Sequence, residues 1–266
     1  MMSQEQTAAT KHLTDLSVAA VERLNNRYVL VRLTHDMPLP PMKAGQFLEV
    51  RVDGSPSTFL RRPISIHYVD TQHNELWLLV ATVGKGTQRL AELQPGDTLN
   101  CLLPLGRGFS WPAAPGSRVL LVGGGVGVAP LLYAGQEVKR SGATPTFLLG
   151  ARSKSDLLQL QAFGNIGRVL TTTEDGSHGE QGFVTQHTVL GSETFDQILC
   201  CGPTPMMKAV ARYARKAGID CQVSLENLMA CGLGACLCCV EKTVRGNVCV
   251  CKDGPVFNID ELLWQD

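Results

Sequence analysis

Six of the ten cysteines fall within the 21 residues from Cys231 to Cys251, inside the stretch ENLMACGLGACLCCVEKTVRGNVCVCKDGPVF. So dense a group of thiols points to metal. Disulfides suit a secreted chain, but the first 17 residues, MMSQEQTAATKHLTDLS, lack the basic start and apolar stretch of a secretory signal. They read as a frayed leader, and the chain as cytoplasmic. Cys231, Cys236 and Cys239 follow the C-x4-C-x2-C spacing of plant-type 2Fe-2S proteins. Gly232 and Gly234 let the backbone wrap closely with its amides toward the sulfurs. A fourth thiolate must come from downstream, where Cys249 and Cys251 lie two apart on an expected strand and hence on one face; spacing does not choose between them. Zinc held by Cys236, Cys239, Cys249 and Cys251 fits less well, because a zinc ribbon prefers a second C-x2-C pair.

The chain upstream has two rhythms. Residues 18–110 alternate apolar and polar positions in short runs (YVLVRL, QFLEVRV, ISIHYV, ELWLLVATV, DTLNCLLPL) separated by Pro/Gly turns. That pattern predicts a small antiparallel β-barrel, with one short helix at TQRLAEL. From residue 111 to 225, after the linker WPAAPGS, five strands alternate with helices, which predicts a parallel α/β sheet. Residues 226–266 break that rhythm with the cysteine loop, two short strands and a terminal helix, a third unit too small to fold readily without a metal. The expected architecture is therefore multidomain. Lys+Arg and Asp+Glu balance at 24 each, so no field attracts nucleic acid or an anionic membrane. The longest uncharged run, Val119 to Gln136, carries five glycines, four of them near its centre with Pro130, and reads as strand, turn and helix, not as a membrane span.

Two further motifs point to cofactors. LRRPISI, Leu60 to Ile66, offers a guanidinium followed closely by a hydroxyl, suited to a flavin's phosphate and ring edge. Gly86-Thr87 opens the short helix as a seat for a pyrophosphate. VGKGT is no Walker loop, since Leu79 stands where its first glycine should fall. The strand RVLLV runs into GGGVGVAP, so glycine amides and a helix start face whatever binds there, although the run does not satisfy G-x-G-x-x-G/A. No acidic residue closes the second strand; Arg152 and Lys154 precede Asp156, which leaves NAD and NADP both open. A later strand ends at Cys201-Gly202-Pro203, where such sheets line their ligand crevice. The six histidines are scattered and no G-x-S-x-G occurs, so hydrolase chemistry has no foothold.

RRPIS, GGGVGVAP, CGPTPMM and the cysteine loop together resemble the ferredoxin reductase superfamily, and their order resembles its dihydroorotate dehydrogenase electron-transfer subunits. The resemblance implies FAD contacts at Arg62, Pro63, Ile64, Ser65, Leu79, Val80, Ala81, Gly86 and Thr87. The glycine turn and the later strand end point to NAD contacts at Gly124, Gly125, Gly127, Cys201, Gly202 and Pro203, with Glu226, ahead of the cluster loop, expected to face the nicotinamide or the flavin, and the resemblance implies cluster ligands Cys231, Cys236, Cys239 and Cys251. The last is selected because the family's final cysteine precedes D-G-P-V-F, here CKDGPVF. It implies no catalytic residue on this chain. The implied electron route runs from dihydroorotate through a partner's FMN, the 2Fe-2S cluster and FAD to NAD+ in pyrimidine (UMP) biosynthesis. The FMN-containing catalytic subunit would be a separate chain, two of each forming a heterotetramer, since three modules leave no room for a (β/α)8 barrel. Rival readings are a subunit of another FAD/2Fe-2S NAD(P)H reductase, of the ferredoxin-NADP reductase or sulfide dehydrogenase type, and a non-enzymatic redox sensor.

Overall fold

The computed structural model describes residues 10–112 and 114–264. Its first unit is a closed six-stranded antiparallel barrel. The strands are β1 (His12–Arg23), β2 (Tyr28–Thr34), β3 (Phe47–Val50), β4 (Arg62–Asp70), β5 (Glu75–Ala81) and β6 (Thr98–Leu105), in the order β1-β2-β5-β4-β3-β6, with helix α1 (Lys85–Leu90) between β5 and β6. Alternation makes the barrel: Leu48, Val50, Ile64 and Ile66 point inward and are at most 9% exposed.

Residues 12–17, expected to belong to the leader, are instead the start of β1, which pairs with both β2 and β6 and closes the barrel. The physical reason is edge closure. Without β1, β6 and β2 would each carry a row of unpaired amides. The burial signal of this strand is thin, only Leu16 and Val18 being buried, which is why a polar run conceals it.

The second unit is a sheet in the order β10-β9-β8-β7-β11-β12-β15. Its parallel strands are β7 (Arg118–Gly124), β8 (Thr144–Ala151), β9 (Arg168–Thr173), the two-residue β10 (Glu180–Gln181), β11 (Gln197–Cys201) and β12 (Asp220–Ser224). Helices α2 (Ala129–Arg140), α3 (Leu160–Ile166), α4 (Val189–Ser192) and α5 (Thr204–Ala217) connect them. Pro130 and Pro205 stand in the first turns of α2 and α5, where no backbone N–H is needed.

Residues 226–264 depart most from expectation. A hairpin, β13 (Val240–Thr243) with β14 (Gly246–Cys249), leads into the one-turn helix α6 (Val250–Asp253) and then β15 (Val256–Asn258). Among the described residues no terminal α-helix follows, only a 3-10 turn at Ile259–Glu261. β15 pairs antiparallel with β12, so this segment supplies the edge strand of the nucleotide sheet. Its apolar residues Cys239, Val250, Cys251 and Phe257 share one buried cluster with Phe47 and Leu105 of the barrel and Val223 of the sheet. A segment this short encloses little apolar volume, and it completes its core on its neighbours.

Barrel and sheet also share a core along α2. The Tyr133 hydroxyl donates to Met42 O at 3.0 Å, and His67 Nδ1 meets Ala129 O at 2.7 Å. Among the described residues no helix is long and apolar enough to cross a membrane.

Candidate redox and nucleotide sites

The cysteine loop wraps as its glycines require. Gly232 and Gly234 take φ of +65° and +81°, the left-handed region that glycine enters freely. The turns aim amides at sulfur: Leu233 N and Ala235 N donate to Cys231 Sγ at 3.3 and 3.4 Å, Gly234 N to Cys251 Sγ at 3.1 Å, and Cys251 N to Cys239 Sγ at 3.4 Å. Amide donation stabilises thiolate, and the Leu233 amide leads the groups that hold Cys231 down to about 6. Burial pushes the Cys251 thiol up to about 12, so it ionises only with a metal to take the proton's place.

Cys249 and Cys251 do not share a strand face as expected. Cys249 ends β14, whereas Cys251 lies in α6 and is 1% exposed. Their polar environments are opposite. Cys251 receives the Gly234 amide, while the Cys249 thiol faces the Gly234 carbonyl at 3.8 Å, a neighbour that disfavours thiolate. Local polarity therefore favours Cys251 on grounds independent of the CKDGPVF match. The thiols associate in pairs, Cys231 with Cys236 and Cys239 with Cys251. Among the described residues no three His, Cys, Asp or Glu side chains converge as the shell of one ion would. The C-x4-C-x2-C spacing fits two irons better than one tetrahedral zinc. Cys238 is exposed and belongs to neither pair.

The flavin motif begins β4. Arg62 donates to Leu60 O and Arg61 O at 3.0 and 3.2 Å, and a Cβ added at Gly86 would lie 3.0 Å from Arg62 Nε. The bare glycine thus lets the guanidinium stem lie against α1, which starts one residue before Gly86. Thr87 is tied to Gly84 by hydrogen bonds of 3.1 Å in both directions. Ser65 and Pro63 are half-buried on the outer face of β4. Ile64, Leu79 and Val80 are packed in the core, so their backbones, not their side chains, are what a ligand could reach. Phe59 is 92% and Val83 86% exposed on the loops beside these strands, apolar surface of the kind a flavin covers. Arg62→Gln is expected to weaken flavin retention by about 10- to 100-fold, the worth of a charge-assisted phosphate contact, read as the flavin-to-protein absorbance ratio after dilution and gel filtration.

One group joins the two sites. Glu49 pairs with Pro63 across β3 and β4, so both side chains share a face. A Cβ on Gly232 would fall 2.9 Å from Glu49 Cγ. The carboxyl is 0% exposed, neither oxygen has a hydrogen-bond partner, and burial pushes it up to about 7 against the pull of Arg61. The ligand loop therefore rests on β3, the strand paired with the flavin motif of β4.

At the carboxyl ends of the parallel strands lies a cavity of about 540 Å³. Gly124, Gly125 and Gly127 line it with distinct roles. A Cβ at Gly124 would strike Met206 Sδ at 2.5 Å and one at Gly127 the Gly202 Cα at 2.5 Å; the first brings the β7 turn close onto the start of α5, the second onto the end of β11. Gly125, at φ +57°, faces space, 3.9 Å from the Tyr28 hydroxyl. Gly202, Pro203 and Glu226 also border the cavity. Glu226 is hemmed in by protein, which raises its carboxyl, yet its side chain is wetted from the cavity. Cys201 corrects the expectation: its thiol is 0% exposed and lies outside the cavity, because strand alternation turns it into the sheet's packing layer. Sequence reasoning missed Arg27, Tyr28, Asp156, Glu174 and Phe183 in the lining. No local motif marks them; Arg27 and Tyr28 come from the barrel, more than 90 residues before the glycine turn.

A closed barrel joined to a parallel nucleotide sheet, with thiols gathered at their junction, defines an iron-sulfur flavoprotein reductase of the ferredoxin reductase type. A solved structure described as giving insights into flavin-based electron bifurcation via the NADH-dependent reduced ferredoxin-NADP oxidoreductase superposes with a TM-score of 0.84 at 28% identity, over 98% of this chain and 92% of that one. The Amycolatopsis cytochrome P450 reductase GcoB gives 0.68 at 25% identity, over 80% and 69%. Residues 226–263 match the iron-sulfur cluster binding domain of dihydroorotate dehydrogenase B, and 121–212 the oxidoreductase NAD-binding domain. The dihydroorotate dehydrogenase B (NAD(+)) electron transfer subunit of Shouchella clausii is 44% identical over 82% of this chain and 86% of its own. That of Geobacillus sp. (strain WCH70) is 36% identical over 99% and 100%. The chain belongs to the family of dihydroorotate dehydrogenase B electron transfer subunits.

Proposed function

We propose that this chain is the electron-transfer subunit of an NAD-dependent dihydroorotate dehydrogenase, linking oxidation of dihydroorotate on a catalytic partner to reduction of NAD+ in pyrimidine (UMP) biosynthesis. An iron-sulfur cluster exchanges single electrons, FAD stores two, and nicotinamide accepts them as hydride. The chain's own residues hold and orient. Cys231, Cys236, Cys239 and Cys251 hold the 2Fe-2S cluster and the loop amides tune it; Arg62 and the β4 backbone seat FAD. The Gly125 turn and the strand ends at Gly202 and Glu226 receive NAD. No side chain is asked to move a proton from dihydroorotate.

The observation that carries this reading is the close approach of Gly232 to Glu49 on the face shared with Pro63, which sets the ligand loop on the strand next to the flavin motif. The partner is read as an FMN-containing catalytic subunit in a two-plus-two assembly. The compartment is read as the cytoplasm, where ten free thiols stay reduced. A tagged chain expressed in its own host is expected to bring down an FMN protein. Mixing the purified assembly with NADH in a stopped-flow spectrometer should bleach the flavin and then give a reduced-cluster EPR signal. Recovery of a ferredoxin-reducing partner would overturn the pyrimidine assignment, and failure of NADH to bleach the flavin would favour a sensor.

A further inference from the structure

The nucleotide cavity is built largely by the parallel sheet, yet part of its wall comes from the barrel. The β1–β2 turn reaches across so that Asn25 Nδ2 donates to Ser155 O at 2.8 Å, and the same side chain's oxygen accepts from Arg27 N at 2.9 Å. Thr82 fixes the other side, donating its amide to Arg27 O at 2.8 Å and its hydroxyl at 3.1 Å. The Arg27 backbone is therefore held by two barrel residues, of which Asn25 is itself anchored to the sheet domain. Its guanidinium lies over the Tyr28 ring, 5.4 Å from the centroid, and donates to the Tyr28 hydroxyl at 3.2 Å. That hydroxyl is the nearest atom to the open side of Gly125.

The charges lining this cavity are Arg27 and Arg152 against Asp156, Glu174 and Glu226. A pyrophosphate entering it meets a net excess of carboxylate, and of the two cations Arg27 is the one bonded to the Tyr28 hydroxyl beside the open face of Gly125. Asp156 stands 3.7 Å from Arg27 Nη1, too far for a hydrogen bond, and the arginine side chain is 54% exposed. The guanidinium is thus oriented while most of its five donors are still met by water.

We propose that Arg27, carried by the flavin-binding barrel, is the cation that holds the pyrophosphate of the dinucleotide against the Gly125 turn, with Asp156 setting its orientation. The proposal rests on reading this cavity as the NAD site and extends it: the nucleotide is gripped by both domains at once. A planar fork placed over two phosphates binds them bidentately, and the glycine amides supply the opposing donors.

The test uses the intact flavin- and cluster-loaded assembly. Calorimetry with ADP-ribose, which has the pyrophosphate and no nicotinamide, is expected to show a dissociation constant about 10- to 100-fold weaker in Arg27→Gln, with Arg27→Lys in between. The dependence of that constant on salt should flatten in Arg27→Gln. In stopped-flow, flavin reduction by NADH should need correspondingly more nucleotide to saturate, with the limiting rate within about twofold. Reduction by the phosphate-free donor N-benzyl-1,4-dihydronicotinamide should not change. Equal losses with both donors would show a role confined to joining the domains, and unchanged ADP-ribose affinity would likewise overturn the proposal. Ala209→Trp narrows the cavity from α5. If it leaves ADP-ribose binding intact, the cavity reading itself fails; if it abolishes binding while Arg27→Gln does not, only the role of Arg27 falls.

Discussion

Cys251→Ser is expected to yield protein that keeps its flavin and loses its cluster, with iron and acid-labile sulfide falling by more than about tenfold. Cys249→Ser should retain both in full. The contrast follows from the two environments. Cys251 is buried, receives the Gly234 amide and packs beside Cys239, whereas Cys249 faces a carbonyl. Because hydride transfer from NADH to the flavin needs no cluster, the Cys251 variant should still bleach its flavin with NADH, while dihydroorotate-driven NAD+ reduction by the assembly disappears. Loss of the cluster in Cys249→Ser with its retention in Cys251→Ser would reverse the ligand assignment. Hydrogen exchange should show loosening of the amides from Leu233 to Cys251 in the cluster-free protein. β15 should stay protected, because its hydrogen bonds are to β12.

The second large effect is on acid stability, through His67. This imidazole is 0% exposed where β4 meets α2, with Nδ1 on Ala129 O and Nε2 without a partner. Burial lowers its pKa from 6.5 to about 4, against the pull of the Ala129 carbonyl. The folded state therefore binds fewer protons here than the unfolded state between pH 6.5 and 4. Stability from this site is complete above 6.5 and is lost as pH falls toward 4. A difference of this size corresponds to about 3 kcal/mol over that window. Denaturant unfolding at pH 7.5 and 4.5 should show the wild type losing more than His67→Gln by about that amount. Equal losses in the two proteins would remove His67 as the cause.

Much of this was written locally. The barrel strands β2 to β6 announce themselves because each has one face in a core and the other outside, so their residues alternate. The thiol spacing, the Arg62 motif and the glycine turn are likewise short, since a loop that wraps sulfur or phosphate must place its residues within a few positions of each other. The first strand escaped notice because, of its twelve residues, only Leu16 and Val18 are buried. β15 escaped because three residues carry no periodicity and its partner β12 lies more than 30 residues earlier.

The chain sequence by itself determined the kinds of group this protein can hold, because ligand chemistry resides in residue types at fixed short spacings. Only the tertiary structure decided where those groups stand relative to one another. It set Gly232 on Glu49, turned Cys201 into the sheet, gave Cys251 an amide and Cys249 a carbonyl, and brought Arg27 to the glycine turn. Each of these follows from strand register and domain packing, which depend on burial summed over residues far apart in the chain and leave no mark in any single segment.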